Sequence, residues 1–175
     1  MSKTSLITAT AAGAAGAFGA RALLMRGLLA KFRRDLAKLN AGEYEPLLSA
    51  YADDAVLMFN DGDHRWAGEH RGKPAIERFL QEFVNAGVKG ELTDAWIGGP
   101  PWALTFVARF DDGVTAPDGE ELYRNRVVLI VRTRWGKIVR HDDFYEDTGR
   151  IERLEEGLNR LGIAPLDRTA VPSPT

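Results

Sequence analysis

The sequence predicts an α+β domain in which a curved antiparallel β-sheet wraps one layer of helices. Three observations carry that expectation. Helical apolar spacing is concentrated early in the chain, long stretches of alternating polarity fill most of residues 91–145, and no internal repeat is present. The length of 175 residues suits one domain with a single buried core.

Residues 5–20, SLITATAAGAAGAFGA, carry no charge and lie between Lys3 and Arg21. Their Ala, Gly and Thr content falls short of the run of about 18 strongly apolar residues that marks a membrane span. A frayed or loosely helical extension is expected over residues 1–20, with a signal peptide or anchor as the alternative. The domain proper is placed at 21–162. Residues 163–175, with Pro165, Pro172 and Pro174, read as a tail. The expected location is cytoplasmic, export or membrane association through 5–20 being the alternative.

From Arg21 onward Leu24, Leu28, Phe32, Leu36 and Leu39 recur at helical spacing. The other faces carry Arg21, Arg26, Lys31, Arg33, Arg34 and Lys38 against Asp35, six positive charges less one negative, or +5. This reads as a solvated face, with contact to an anionic membrane surface as the alternative. Asn40 and Gly42 stop the helix. A second helix at 43–52 groups Leu47, Leu48 and Tyr51. AVLMF (55–59) is a strand, Asp61-Gly62 a turn, and HRWAG (64–68) a short returning strand. Gly72-Lys73-Pro74 opens a third helix, which buries Ile76, Phe79, Leu80 and Phe83 and ends at Gly87. Strands follow at 91–97, 102–110, 122–134 and 137–145, separated in part by Gly99-Pro100 and by the polar loop DDGVTAPDGEE. A final helix runs from Arg150 to Leu161 on Ile151, Leu154, Leu158 and Leu161.

Hydrophobic and charged contents of 45% and 27% are ordinary for a soluble globular protein. A net charge of -2 and a pI near 6.0 argue against nucleic acid as a partner. Without cysteine there is no disulfide framework, thiolate nucleophile or cysteine metal site. DGDH (61–64) with Glu69-His70 gathers oxygen and nitrogen donors, but the spacing matches neither a zinc-protease helix nor a calcium loop. Turn chemistry accounts for Asp61-Gly62, and no metal or other cofactor is expected.

Period-two alternation assigns faces to the long strands. Over 123–134, Tyr123, Asn125, Val127, Leu129, Val131 and Thr133 form the inward face. Arg124, Arg126, Val128, Ile130, Arg132 and Arg134 form the other, either a subunit interface with charged edges or a solvated exterior. On the last strand Val139, His141, Asp143 and Tyr145 share a face, so His141 and Asp143 are expected in the hollow between sheet and helices. Trp66, Trp96 and Trp102 are read as buried packing, a ligand mouth being the alternative.

YADDAVLMFNDGDHRWAGEHRGKPAIERFLQEF, followed later by GKIVRHDDFYED, resembles the SnoaL-like branch of the nuclear transport factor 2-like (ketosteroid isomerase-like) superfamily. The signs are the Tyr-Ala-Asp-Asp-Ala entry to the first strand, the Gly-x-x-Ala-Ile entry to the third helix and the Asp-Phe-Tyr-x-Asp ending, over about residues 22–161. The resemblance implies a cone-shaped sheet around an apolar pocket (an NTF2-like or cystatin-like roll) and a homodimer through the outer sheet face. It places Asp143 where cyclases and epoxide hydrolases carry a final-strand acid/base aspartate. Leu57 and Phe59 stand where the hydrolases hold water with tyrosine and asparagine, and Phe106 and Ala108 where they carry an arginine–aspartate pair. Phe59 also falls near the isomerase aspartate, so epoxide hydrolysis and steroid isomerisation of the standard kinds are not expected.

The expected ligand is a small lipophilic molecule in a pocket walled by Leu57, Phe59, Trp66, Phe79, Phe83, Phe106, Val127 and Leu129. Asn125, Tyr123 and Tyr145 would orient its polar atoms. Asp143, desolvated by such walls, suits cofactor-independent proton transfer of the cyclase, isomerase or dehydratase type, with His141 as oxyanion donor or shuttle. The alternative is a non-catalytic ligand-binding or interaction module in which His141 and Asp143 satisfy each other.

Overall fold

Ala-rich sequence favours helix strongly, and the first element, α1 (Thr4–Asn40), extends through the whole N-terminal segment. The structure is a computed structural model that describes the backbone of residues 4–166 and the side chains of 19–166. Residues 167–175 of the expected tail lie outside the described residues. Two compact units are present, one ending at Arg34 and the other beginning at Asp35. Within the described residues the first is the part of α1 up to Arg34, and 5–20 is helical. Leu24, counted in the apolar stripe, is exposed. Among the described residues no helix is long and apolar enough to cross a membrane.

The second unit holds α2 (Glu45–Leu48), β1 (Tyr51–Phe59), β2 (Gly68–Arg71), α3 (Lys73–Asn85), β3 (Lys89–Gly98), β4 (Thr105–Thr115), β5 (Glu121–Arg134), β6 (Lys137–Tyr145) and α4 (Thr148–Arg160). The six strands form one curved, unclosed sheet ordered β2-β1-β6-β5-β4-β3. All neighbours are antiparallel except β1 and β6, which run parallel and bring the first and last strands together inside the sheet. Register shifts at Leu92/Asp94, Val114/Thr115 and Arg132/Thr133 insert irregularities that bend the ladder. Trp135 and Gly136, with φ of 50° and 79°, make the tight two-residue turn between β5 and β6.

Four expectations require correction. The helix expected at 43–52 is a single turn, because the chain at Tyr51 already pairs with Ile138 of β6, and Ile138 donates its N–H to the Ala50 carbonyl at 2.8 Å. Residues 64–67 are a turn that buries His64, Arg65 and Trp66, and the returning strand starts only at Gly68, opposite Phe59. Residues 102–104 are not strand, while 111–115 of the supposed polar loop are, since Asp111–Val114 pair with Tyr123–Arg126. Leu161, placed in the last apolar stripe, is the exposed residue that caps α4. The core clusters Leu39, Tyr51, Leu57, Phe59, Trp66, Ile76, Phe79, Leu80, Ile151, Leu154 and Leu158. The strand β1 and the helices α3 and α4 thus share one apolar interior.

Candidate functional site

Strand pairing arranges the inner sheet face in rows. Leu57, His141, Val131, Phe106 and Ile97 align across five strands. Asp143, Leu129, Ala108 and Ala95 form the next row, then Tyr145, Val127, Phe110 and Leu92. Asn125 and Asp112 pair beyond them. The period-two split of β5 is visible in burial: Tyr123, Asn125, Val127 and Val131 are buried, whereas Arg124, Arg126, Arg132 and Arg134 are exposed.

His141 and Asp143 meet on this face. His141 Nε2 lies 2.8 Å from Asp143 Oδ1, and its Nδ1 lies 2.6 Å from the Tyr51 hydroxyl. With Tyr51 donating to Nδ1, the Nε2 proton points to the carboxylate, giving a continuous Tyr51–His141–Asp143 chain. The two polar partners are nearly enclosed, their side chains 12% and 8% exposed. Tyr51 is buried and its ring stacks against His141 at 6.1 Å. Burial, and then the Asp143 charge, push the Tyr51 hydroxyl well above its ordinary value, so it remains a donor.

A second polar pair sits one row along. The Tyr145 hydroxyl donates to Asp112 Oδ2 at 2.8 Å; Asp112 is buried and Tyr145 half-buried. Burial pushes Asp112 up to about 7; the Tyr145 hydrogen bond opposes this, and the Asp143 and Asp111 charges add to it. Burial likewise raises Tyr145, with Asp112 and Asp143 contributing. Tyr123 is raised by burial and by Asp112. Asn125 is almost fully buried, donating to the Asp147 carbonyl at 2.7 Å and accepting from the Arg126 N–H at 3.0 Å. It thereby ties β5 to the N-cap of α4.

The apolar residues assigned to the wall are mostly interior. Leu57, Phe59, Trp66, Phe79 and Val127 are buried, and Phe83, Phe106 and Leu129 are half-buried. Phe59 is a hub, its ring 5.0 Å from Tyr145, 5.4 Å from Phe79 and 6.4 Å from Trp66. Phe83 packs on Phe79 and Trp66. Of the tryptophans read as packing, Trp66 is buried but Trp96 and Trp102 are more than half exposed. The DGDH cluster disperses: His70 Nε2 bonds the Trp66 carbonyl at 2.9 Å, while His64 turns under Phe59. Among the described residues no three His, Cys, Asp or Glu side chains are grouped to hold a metal ion.

Two site residues escape the sequence reading. Tyr51 is assigned to a helix; Phe59, Leu57 and Ala55 alternate on the buried face, but the exposed Asp53 and a register shift before Val56 interrupt the pattern that would lead back to it. Asp112 is assigned to a loop, although Phe110, Asp112 and Val114 keep the same period and all three are buried.

The SnoaL-like domain family matches residues 32–141, over half of the chain. Among curated proteins none matches the sequence. Solved structures with the same fold include an NTF2-like protein of unknown function from Burkholderia pseudomallei (20% identity, 73% of this chain and 95% of that one, TM-score 0.61). TerC, co-crystallised with polyporic acid, aligns over 73% of this chain and 97% of its own at 20% identity and a TM-score of 0.60. An uncharacterized protein with a cystatin-like fold from Caulobacter vibrioides aligns over 71% and 91% at 16% identity and a TM-score of 0.55.

Proposed function

Because the chain belongs to the SnoaL-like domain family, we propose that it binds a small lipophilic carbonyl compound on the inner sheet face and moves a proton on it. Asp143 is the base in this reading, and Asp112 is the proton-bearing partner. The observation that carries it is the buried Tyr51–His141–Asp143 chain on the inner sheet face. Buried polar groups cost stability unless every one is satisfied, and here the chain fixes one carboxylate edge. The half-buried Leu129 and Phe106 beside it offer apolar surface for a ligand to cover.

The chemistry needs no outside reagent. The Asp143 carboxylate takes a proton from carbon next to a carbonyl, and the electron pair moves to the carbonyl oxygen. A hydrogen bond from protonated Asp112 stabilises that oxygen. Where the substrate carries a β,γ double bond, the dienolate takes the proton back from Asp143 at the γ carbon, the double bond moves into conjugation, and the net change is a shift of one hydrogen. The raised Asp112 carboxyl supplies the acid role and Asp143 the base role. TerC, crystallised with polyporic acid, supports small-molecule binding by this fold.

A homodimer through the outer sheet face belongs to the same reading. Trp96, Val107 and Ile130 form one outer row, and Phe144 and Val128 begin the next. Trp96 and Phe144 are 58% and 54% exposed, apolar surface that a second copy would cover.

Native mass spectrometry of freshly purified protein tests both parts, reading the assembly mass and any compound that co-purifies. Asp143→Asn is expected to bind that compound while losing its conversion at least about a hundredfold. Undiminished turnover by Asp143→Asn would remove the catalytic assignment.

A further inference from the structure

A cleft of about 850 Å³ opens between the β1–β2 turn, α3 and α4, and Asp143 and His141 do not line it. Phe79, Ala67, Ala75 and Pro165 give it an apolar side. Besides His64, His70 and Asn159 the rest is charged, Asp63, Glu69, Glu82, Glu152, Glu155 and Glu156 facing Arg65 and Arg78. Arg65 is already committed, bonding Glu155 Oε2 at 2.8 Å and Oε1 at 3.0 Å and lying 3.5 Å from Glu82 Oε2. Glu69 pairs with Arg71. Asp63, Glu152 and Glu156 make no hydrogen bond or ion pair among the described residues, so the cleft keeps an excess of negative charge.

His64 supplies an independent observation. The residue is 8% exposed, lines the cleft and rests edge-on against Phe59 at 5.5 Å. Neither ring nitrogen has a hydrogen-bond partner. A buried, unpartnered imidazole is costly. A point above Gly62, where a side chain would begin, lies 3.0 Å from His64 Nε2 and 3.1 Å from Glu152 Oε1. The same point lies 2.9 Å from His64 Cδ2, so the ring edge and the Glu152 carboxylate both close on this glycine. Burial holds the His64 ring below its ordinary value against Glu155, Glu152, Asp63 and Asp61, so near neutrality it is uncharged and presents one lone pair.

We propose that this cleft binds a protonated aliphatic amine, its ammonium group shared by Glu152, Asp63 and a ring nitrogen of His64 and its carbon chain lying on Phe79, Ala75 and Pro165. An ammonium group brings three donors and one positive charge to a site rich in acceptors and negative charge. The mixed apolar and acidic lining selects an amine over a hydrated cation.

The test uses the full-length protein, with calorimetry and the side-chain ¹⁵N–¹H resonances of the three histidines. The probes are n-butylamine and 1,4-diaminobutane, against 1-butanol as the neutral match. Both amines are expected to shift the His64 ring signals saturably, and 1-butanol to leave them in place. Glu152→Gln and Asp63→Asn, both at exposed positions, should each weaken amine binding about tenfold, and added salt should weaken it in the wild type. Circular dichroism verifies that both variants are folded. An equal response to 1-butanol, unchanged amine affinity in both variants, or amine binding that leaves His64 unmoved would each overturn the proposal.

Discussion

Replacing Asp112 with asparagine isolates a buried carboxyl whose protonation differs between folded and unfolded chains. Tyr145 can still donate to the amide oxygen at this site, so the substitution keeps the hydrogen bond and removes the titration. Burial raises the folded value to about 7 against 3.8 for the free carboxyl, and the Tyr145 bond only partly offsets it. With the folded value above the unfolded one, the folded state holds a proton that the unfolded state releases as pH rises between those two values. The associated stability is complete at acid pH and is lost as pH climbs through the folded value. A gap of about three pH units corresponds to about 4 kcal/mol across that window. Urea denaturation of wild type and Asp112→Asn from pH 4 to pH 8 reads this directly. The variant should gain on the wild type as pH rises, with most of the gain between pH 4 and pH 7. A stability difference that stays level, or that moves the other way, would refute a buried, proton-holding Asp112.

Other consequences are as specific. Glu155→Ala leaves Arg65 buried with Glu82 at 3.5 Å and the Ile163 carbonyl at 2.8 Å, and should cost about 3–5 kcal/mol in urea unfolding. Burial raises Glu155, but the Arg65 bonds outweigh it and hold the carboxyl below its ordinary value, so this pair weakens as the solution is acidified. Phe59→Ala empties the centre of the aromatic cluster, and a loss of about 3–5 kcal/mol is expected. Tyr51→Phe strips His141 Nδ1 of its donor, with an expected loss of about 1–3 kcal/mol. It should also lower turnover of whatever compound Asp143 converts, measured beside Asp143→Asn.

The regular parts of this protein are written in short-range pattern. Helical spacing fixes α3 and α4, because Ile76, Phe79, Leu80, Ile151, Leu154 and Leu158 repeat at three and four residues and all are buried. Alternation fixes the two faces of β5 for the same local reason, and it puts His141 and Asp143 on one side of β6. Their hydrogen bond is therefore a contact between residues two apart. What no local pattern contains is the parallel pairing of β1 with β6, which carries Tyr51 across ninety positions to His141. The pairing of Asp112 with Tyr145 depends in the same way on the register of β4, β5 and β6. The same holds for the acidic cleft, where Glu152 and Glu155 on α4 meet His64 and Arg65 from a turn. Side-chain chemistry and periodicity act over a few residues, so sequence alone determined the longer elements and the faces of α3, α4, β5 and β6. Which charges share a low-dielectric interior is set by long-range strand order and helix packing, and only the tertiary structure decided it.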